Sequence, residues 1–265
     1  MPRSVWKGAV SFGLVTIPVK VYGATEEKDI GFRQVHAADQ GRIRYKRVCE
    51  VCGEEVPFAE IRKGYEAADG RLAVLEPEDF AGLPAAEGRT VDVVQFVDVD
   101  SVDPTYFART YFLEAEKVGT KPYVLLREAL AETGKAAVVK VALRSRETLA
   151  LIRPDGDVLR MHTMLLPHEL LDGAFAAPGD EVQVSEAEVG MARMFIEQLS
   201  GEFDPAAFGD DYRAALEKVI EARLEGVELP AAEEAPGGSQ VVDLVAALRA
   251  SVEAAKKRRE EAAAS

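Results

Sequence analysis

Apolar and polar positions along the first 165 residues alternate in short runs, the period of a half-buried β-strand rather than of a helix. Trp6 to Ser11 and Leu14 to Tyr22 are rich in Val, Ile and aromatic residues and are divided by Gly13. Ile43 to Val48, Val91 to Val99, Tyr106 to Glu116, Ala137 to Arg146 and Thr148 to Arg153 carry the same pattern. Asp69-Gly70 lies between two short strand candidates, and Pro154-Asp155-Gly156 is a turn signal joining Leu149–Arg153 to Val158–Met164 as a hairpin. Two helices interrupt the strands: a short one from Pro77 to Leu83, and Pro122 to Glu132, which Gly134 ends. The expectation is a mostly antiparallel β domain closed into a barrel.

The pattern then changes. Ser185 and Glu188 make a capping box that opens a helix to about Leu199, with Val189, Met191, Ala192, Phe195, Ile196 and Leu199 as its apolar stripe. A second helix is expected from about Asp210 to Leu224. From Glu225 to Gly238 the chain is mostly Pro, Gly, Ala and Glu, a composition that supports no core. Beyond it Val241, Leu244, Val245, Leu248 and Val252 return at helical spacing, followed by Lys256, Lys257, Arg258 and Arg259. An amphipathic helix on a tether fits a docking peptide. The expected organisation is a β core over 1–184, a helical region over 185–226, a linker over 227–239 and a C-terminal helix and tail over 240–265. No internal repeat is visible.

Charge modifies this picture. The 265 residues carry 32 Lys and Arg against 46 Asp and Glu, net −14, which taken whole argues against a nucleic-acid partner. The acid is concentrated in 64–118 and 161–235, however, while 1–63 and 119–160 are each net positive. A basic groove inside an acidic shell is compatible with that distribution.

The basic segments have strand-like order. In Arg42-Ile43-Arg44-Tyr45-Lys46-Arg47, alternation puts Arg42, Arg44 and Lys46 on one side. Around Val139, Val141 and Leu143, the opposite side carries Lys140, Arg144 and Arg146. Cations about 6.6 Å apart along a strand form a row able to follow a phosphate backbone without reading bases. The bland alternative is a solvated sheet face, and two such rows in an acidic protein weigh evenly against it.

Cys49-Glu50-Val51-Cys52-Gly53 supplies half of a tetrahedral zinc site. No second Cys-x-x-Cys exists, so zinc needs His36 as a third ligand or a symmetry mate's pair across a dimer axis. Otherwise the two residues are reduced thiols in a tight turn or a redox-sensitive pair. Catalytic templates are absent: there is no Gly-x-Ser-x-Gly elbow, Walker loop or Gly-x-Gly-x-x-Gly. His168-Glu169-Leu170-Leu171-Asp172 has Asp where a zincin's second His belongs, and His162 reads as a satisfied sheet residue. Nothing in the chain demands an enzyme or a required cofactor. The first residues lack a signal peptide's charged and apolar regions, and no apolar window approaches a membrane span, so a cytoplasmic protein without a membrane partner is expected.

The opening segment Trp6 to Tyr22, WKGAVSFGLVTIPVKVY, resembles the start of the bacterial Ku proteins. Gly41 to Cys49, Val51-Cys52-Gly53, Lys63-Gly64-Tyr65-Glu66 and the tail Val241 to Glu253 are similar to later segments of that family, in order. The resemblance implies a Ku-type β-barrel with an inserted arm, here at about 30–75, that joins a second subunit's arm in a ring around duplex DNA. It implies a homodimer that threads onto double-strand break ends without sequence preference in non-homologous end joining, associated with the nucleoid. It also implies recruitment and stimulation of DNA ligase D through the C-terminal region. On that reading Arg42, Arg44, Lys46, Arg47, Lys140, Arg144 and Arg146 are the candidate DNA contacts. Val241, Leu244, Val245, Leu248 and Val252 are the candidate ligase contacts.

Two other classes compete. A zinc-dependent transcription regulator, with Cys49 and Cys52 in a metal knuckle, predicts sequence-specific binding and stoichiometric zinc. A hydrolase acting at DNA ends predicts magnesium-dependent turnover, and lacks a recognisable acidic motif.

Overall fold

The computed structural model describes residues 2–81, 89–143, 146–179 and 182–227, and the chain divides into two compact units, 1–172 and 173–265. In the first unit seven strands close a barrel: β1 (Trp6–Phe12), β2 (Val15–Gly23), β5 (Thr90–Asp98), β6 (Phe107–Ala115), β7 (Lys135–Leu143), β8 (Arg146–Asp155) and β9 (Val158–Met164). Their order around the barrel is β1-β2-β6-β9-β8-β7-β5. Six pairings are antiparallel; the seventh, which closes the barrel, is parallel, with Ala9, Val10 and Ser11 of β1 opposite Thr90, Val91 and Asp92 of β5.

Alternation drives the closure. Along β2 the side chains of Ile17, Val19 and Val21 are fully buried between the more exposed Thr16, Lys20 and Tyr22. They pack with Val10, Val91, Leu113, Val139, Val141, Ile152, Leu159 and Met161 in one core. The two-residue loop after Phe12 uses Gly13 at φ 59°, and that after Asp155 uses Gly156 at φ 55°, backbone that L-residues rarely adopt. Gly8 meets a different demand, close approach: a Cβ there would lie 2.1 Å from the Arg89 carbonyl oxygen and from the Trp6 ring.

Helix α2 (Thr120–Thr133) packs Tyr123, Leu126 and Leu130 into the barrel core and ends at Gly134 in the left-handed conformation. The Tyr123 hydroxyl donates to the Leu113 carbonyl (2.8 Å) and accepts the Leu159 amide (2.7 Å), tying the helix to the β6–β9 seam. A second apolar cluster forms from Ala136, Val138 and Leu151 with Val97, Val99, Val102, Phe107, Leu149 and Met164. That cluster explains why β8 is apolar on alternate residues of both faces over Leu149 to Ile152.

Between β2 and β5 the chain leaves the barrel. It holds β3 (Lys63–Glu66) and β4 (Leu72–Leu75), a hairpin turned by Gly70 at φ 82°, and the five-residue α1 (Pro77–Ala81). None of residues 24–81 is buried. One expectation fails here: Ile43–Val48 is not a strand. Only the isolated bridges Val35↔Arg42 and Val48↔Glu55 hold its ends. A strand needs a continuous partner, and Ile43, Tyr45 and Val48, all exposed, have no apolar surface to seat against.

The second unit contains α3 (Glu186–Leu199) and α4 (Asp211–Glu225). Ser185 caps α3, and Glu188 reaches back to the Ser185 amide at 2.7 Å, the capping box expected from sequence. Neither helix buries a residue, and Val189, Ile196 and Leu199 of the expected stripe stand exposed. The linker beyond Val227 and the tail residues Val241, Leu244, Val245, Leu248 and Val252 lie outside the described residues. No helix among the described residues is long and apolar enough to cross a membrane.

Candidate nucleic-acid interface

The arm presents Arg42 to Arg47 as an extended segment between two turns. Before it, Asp39 accepts the Gly41 amide at 2.8 Å and pairs with His36 Nδ1 at 2.9 Å, and Gln40 takes φ 59°. The Gly41 amide, then the His36 contact, lowers the Asp39 carboxyl below its ordinary range. After it, the Cys49 amide donates to Glu54 O and the Val56 amide to Arg47 O.

The cations of this segment are unequal. Lys46 pairs with Glu55 at 2.6 Å, and Arg47 lies over the Phe58 ring, 5.3 Å from its centroid. Arg42 and Arg44 have no ion pair among the described residues and project into solvent. Arg42 shares a hollow of about 380 Å³ with Arg33, Gln34, Ile43 and Tyr45, whose hydroxyl donates to Gln34 Oε1. Elsewhere on the arm, Arg62 pairs with Glu76 (2.5 Å) and Arg71 with Asp69 (2.7 Å). Lys63 lies over the Phe80 ring, 4.8 Å from its centroid, so among the described arm residues Arg33, Arg42 and Arg44 have neither an ion pair nor a ring contact. Arg33 escaped the sequence reading because it is a single cation outside any alternating run.

The second expected row is broken up. Lys140 faces outward from β7, as alternation requires, but stands opposite Asp92 and 3.4 Å from Glu147. β7 ends at Leu143, which pairs with Arg146 as the first residue of β8, so Lys140 and Arg146 lie on different strands. Arg144 lies outside the described residues. Alternation counted through Arg146 misses a reversal of direction, because both strands carry the same period.

Sequence also missed a polar band on β2, β6, β8 and β9. Lys20 and Tyr22 contact Glu114 Oε2 at 3.4 and 2.5 Å. The Glu114 hydrogen bond raises the Tyr22 hydroxyl and lowers the carboxyl. Arg160 lies 5.5 Å from the Phe112 centroid, pairs with Asp155 at 2.6 Å and keeps a buried Nε without a partner. Its neighbour Arg153 donates from Nε to His162 Nε2 at 3.1 Å, while Thr110 Oγ1 sits 3.0 Å from His162 Nδ1. Lys20 and Tyr22 meet Glu114, and Thr110 meets His162, from strands far apart in sequence, so only the register assembles them.

Cys49 is half-buried and Cys52 exposed, and both are free thiols. The Gly53 amide donates to Cys49 O at 2.9 Å with Gly53 at φ 73°, closing a tight knuckle. The Cys52 amide, then the Val51 amide and the Cys52 side chain, hydrogen-bond the Cys49 sulfur and lower its pKa. Among the described residues no three His, Cys, Asp or Glu side chains come together to hold a metal. Zinc at Cys49 and Cys52 with His36 as third ligand is therefore not supported: His36 is held by Asp39 instead.

The closed barrel, the α2 cap and the exposed cationic arm define a barrel-and-arm protein, and comparison with known proteins places it. The profile of the Ku family, described as the Ku70/Ku80 beta-barrel domain, matches residues 11–191. The chain is 48% identical over 257 residues to the Non-homologous end joining protein Ku of Frankia casuarinae, covering 97% of this chain and 65% of that protein. It is 45% identical to the Ku of Mycolicibacterium smegmatis, covering 83% of it, and 41% identical to that of Mycobacterium tuberculosis, covering 96%. The chain belongs to the Ku family.

Proposed function

We propose that this protein binds the ends of linear double-stranded DNA as a homodimeric ring, without sequence preference, and acts in non-homologous end joining as a scaffold rather than a catalyst. Support comes first from the relatives, which are named for that process. The observation that carries the reading is the exposed arm, with Arg42 sharing a hollow with Arg33 and neither Arg42 nor Arg44 in an ion pair among the described residues. Guanidinium groups on an extended backbone suit phosphate oxygens along a duplex, which positions a protein without reading bases. Lys46, Arg47, Lys140, Arg144 and Arg146 complete the proposed contact set, with Lys46 and Lys140 weakened by their acidic neighbours.

The homodimer reading rests on unburied apolar surface. Phe32, Tyr45, Phe58, Tyr65 and Leu72 are exposed along the arm, as are Ile196 and Leu199 of α3. Monomeric proteins rarely leave this much apolar surface uncovered, and a second copy covers it without another gene product. The tail stripe Val241, Leu244, Val245, Leu248 and Val252 is assigned to recruiting and stimulating DNA ligase D.

The deciding experiment compares linear duplex with a covalently closed circle of the same sequence across a salt series. Binding of the linear form alone supports threading from ends. Equal binding to both refutes it and leaves an open groove. Deleting residues 230–265 is expected to spare end binding and weaken ligase stimulation; loss of DNA binding overturns that division.

A further inference from the structure

The geometry points to a site for a nucleoside monophosphate at one mouth of the barrel. The two ends of the barrel differ. At the end where β1 finishes and β7 begins, α2 seats Leu126 and Leu130 in the core beside Phe12 and Lys135. At the opposite end, where β1 begins and β7 finishes, Trp6, Tyr111 and Leu143 pack against the core and line a cavity of about 510 Å³. The register brings them together: Trp6 opposes Val21, Gly23 opposes Tyr111, and Leu143 is the last residue of β7. The mouth of a β-barrel is a preferred place for a small molecule, and the volume suits one of nucleotide size.

The lining carries three chemistries, and a nucleotide meets each of them. The Trp6 and Tyr111 rings offer stacking surface to a base, a contact that tolerates any base because each has a π-face. Arg109 stands exposed on the rim, its guanidinium in no ion pair or hydrogen bond among the described residues. A guanidinium grips a phosphate through two parallel hydrogen bonds. Glu26 and Glu27, where the arm leaves β2, also line the cavity and also lack partners among the described residues. Carboxylates accept hydrogen bonds from ribose hydroxyls. Two carboxylates against one guanidinium leave this rim net negative, so it admits one phosphate and disfavours a chain of them. A free mononucleotide and the unpaired last nucleotide of a strand present the same base, sugar and phosphate. None of these groups belongs to the Arg33, Arg42 and Arg44 set, so the site stands whether or not the arm binds duplex ends.

Trp6 is the sole tryptophan of the chain, and its emission therefore reports the site directly. Titrating the full chain with adenosine 5′-monophosphate is expected to give a saturable change in emission. Adenosine, without the phosphate, should bind about tenfold more weakly, and the 2′-deoxy nucleotide about fivefold more weakly. Arg109→Gln should weaken the monophosphate about tenfold and leave adenosine unchanged. Glu26→Gln combined with Glu27→Gln should erase the preference for ribose over deoxyribose. All three positions are exposed, and the far-ultraviolet spectrum of each variant checks that it is folded. Equilibrium dialysis with labelled monophosphate covers binding that leaves the emission unchanged. No retention at millimolar nucleotide, triphosphate binding at least as tight as monophosphate, or equal loss of adenosine binding in Arg109→Gln would overturn the site. Competition then separates the sources, using a duplex with one unpaired 3′ adenylate and the same duplex blunt. Competition by the overhang alone assigns the site to a strand end, and competition by neither assigns it to the free nucleotide. Equal competition by both would overturn a dedicated site, because the monophosphate would then be occupying a duplex phosphate contact.

Discussion

Arg153 donates its Nε proton to Nε2 of His162, and that single bond settles the state of the imidazole. A guanidinium has no acceptor, so Nε2 must be unprotonated, and the ring proton resides on Nδ1 facing Thr110 Oγ1. Burial first, then the positive charges of Arg153 and Arg160, hold His162 below the ordinary value near 6.5, with Asp155 opposing them. The unfolded chain therefore takes up a proton at a pH where the folded chain does not. Stability is full above about pH 6.5 and falls as pH drops from there through the folded value. His162→Gln keeps an acceptor and a donor in place but cannot titrate. Urea melts of wild type and variant between about pH 5 and about pH 8 should show a shallower acid decline in the variant. Identical slopes would remove His162 as the source.

Tyr123→Phe is expected to destabilise the first unit by about 2 kcal/mol, since it strands the Leu113 carbonyl and the Leu159 amide inside the barrel. Ring packing is retained, so the loss reports the hydroxyl alone. A shift in the denaturant midpoint corresponding to less than about 0.5 kcal/mol would mean that the β6–β9 seam repairs itself.

Gly8→Ala places a methyl group onto the Arg89 carbonyl oxygen and the Trp6 ring. The expected loss is about 1–3 kcal/mol, the usual range for forced overpacking. Gly173→Ala, which meets nothing within 4 Å, serves as the control and should leave the melting temperature close to wild type.

Binding to duplex across a salt series should rank the arm cations by their local partners. Arg42→Ala and Arg44→Ala should each lower the slope of log K against log salt by about 1 and weaken all sequences alike. Lys46→Ala should have a smaller effect, because Glu55 already neutralises it, and Glu55→Ala should strengthen binding. A ranking with Lys46 above both arginines, or any sequence dependence, would contradict a phosphate-contact role for the unpaired pair.

What the sequence reveals and conceals follows from where each signal resides. β2 is legible because Ile17, Val19 and Val21 alternate with polar residues, and α3 because Ser185 and Glu188 satisfy each other's backbone. The hairpin turns at Gly70 and Gly156 are legible for the same local reason. Closure of the barrel through a parallel β1–β5 pair is not legible, since pairing direction is decided by neighbours distant in the chain. Ile43–Val48 has strand chemistry without a strand's partner, and the break after Leu143 is hidden because both flanking strands keep the same period. Arg153 and His162 become neighbours only through the β8–β9 register. The unequal status of Arg42 and Lys46 depends on Glu55, which arrives across a turn.

The arm departs after Gly23 on β2 and returns at Thr90 on β5, and both strands flank β1. Its two ends are thus anchored two strand spacings apart across β1, roughly 10 Å, and offset along it by the five residues from Pro18, which is level with Thr90, to Gly23, about 17 Å, on a frame already closed by other contacts. For a loop with pinned ends, doubling the length adds only about 0.6 kcal/mol to the entropy of closure. The barrel is therefore nearly indifferent to how long the arm is. Residues can therefore be added to or removed from the arm at little cost to the frame, whose seven strands close without it.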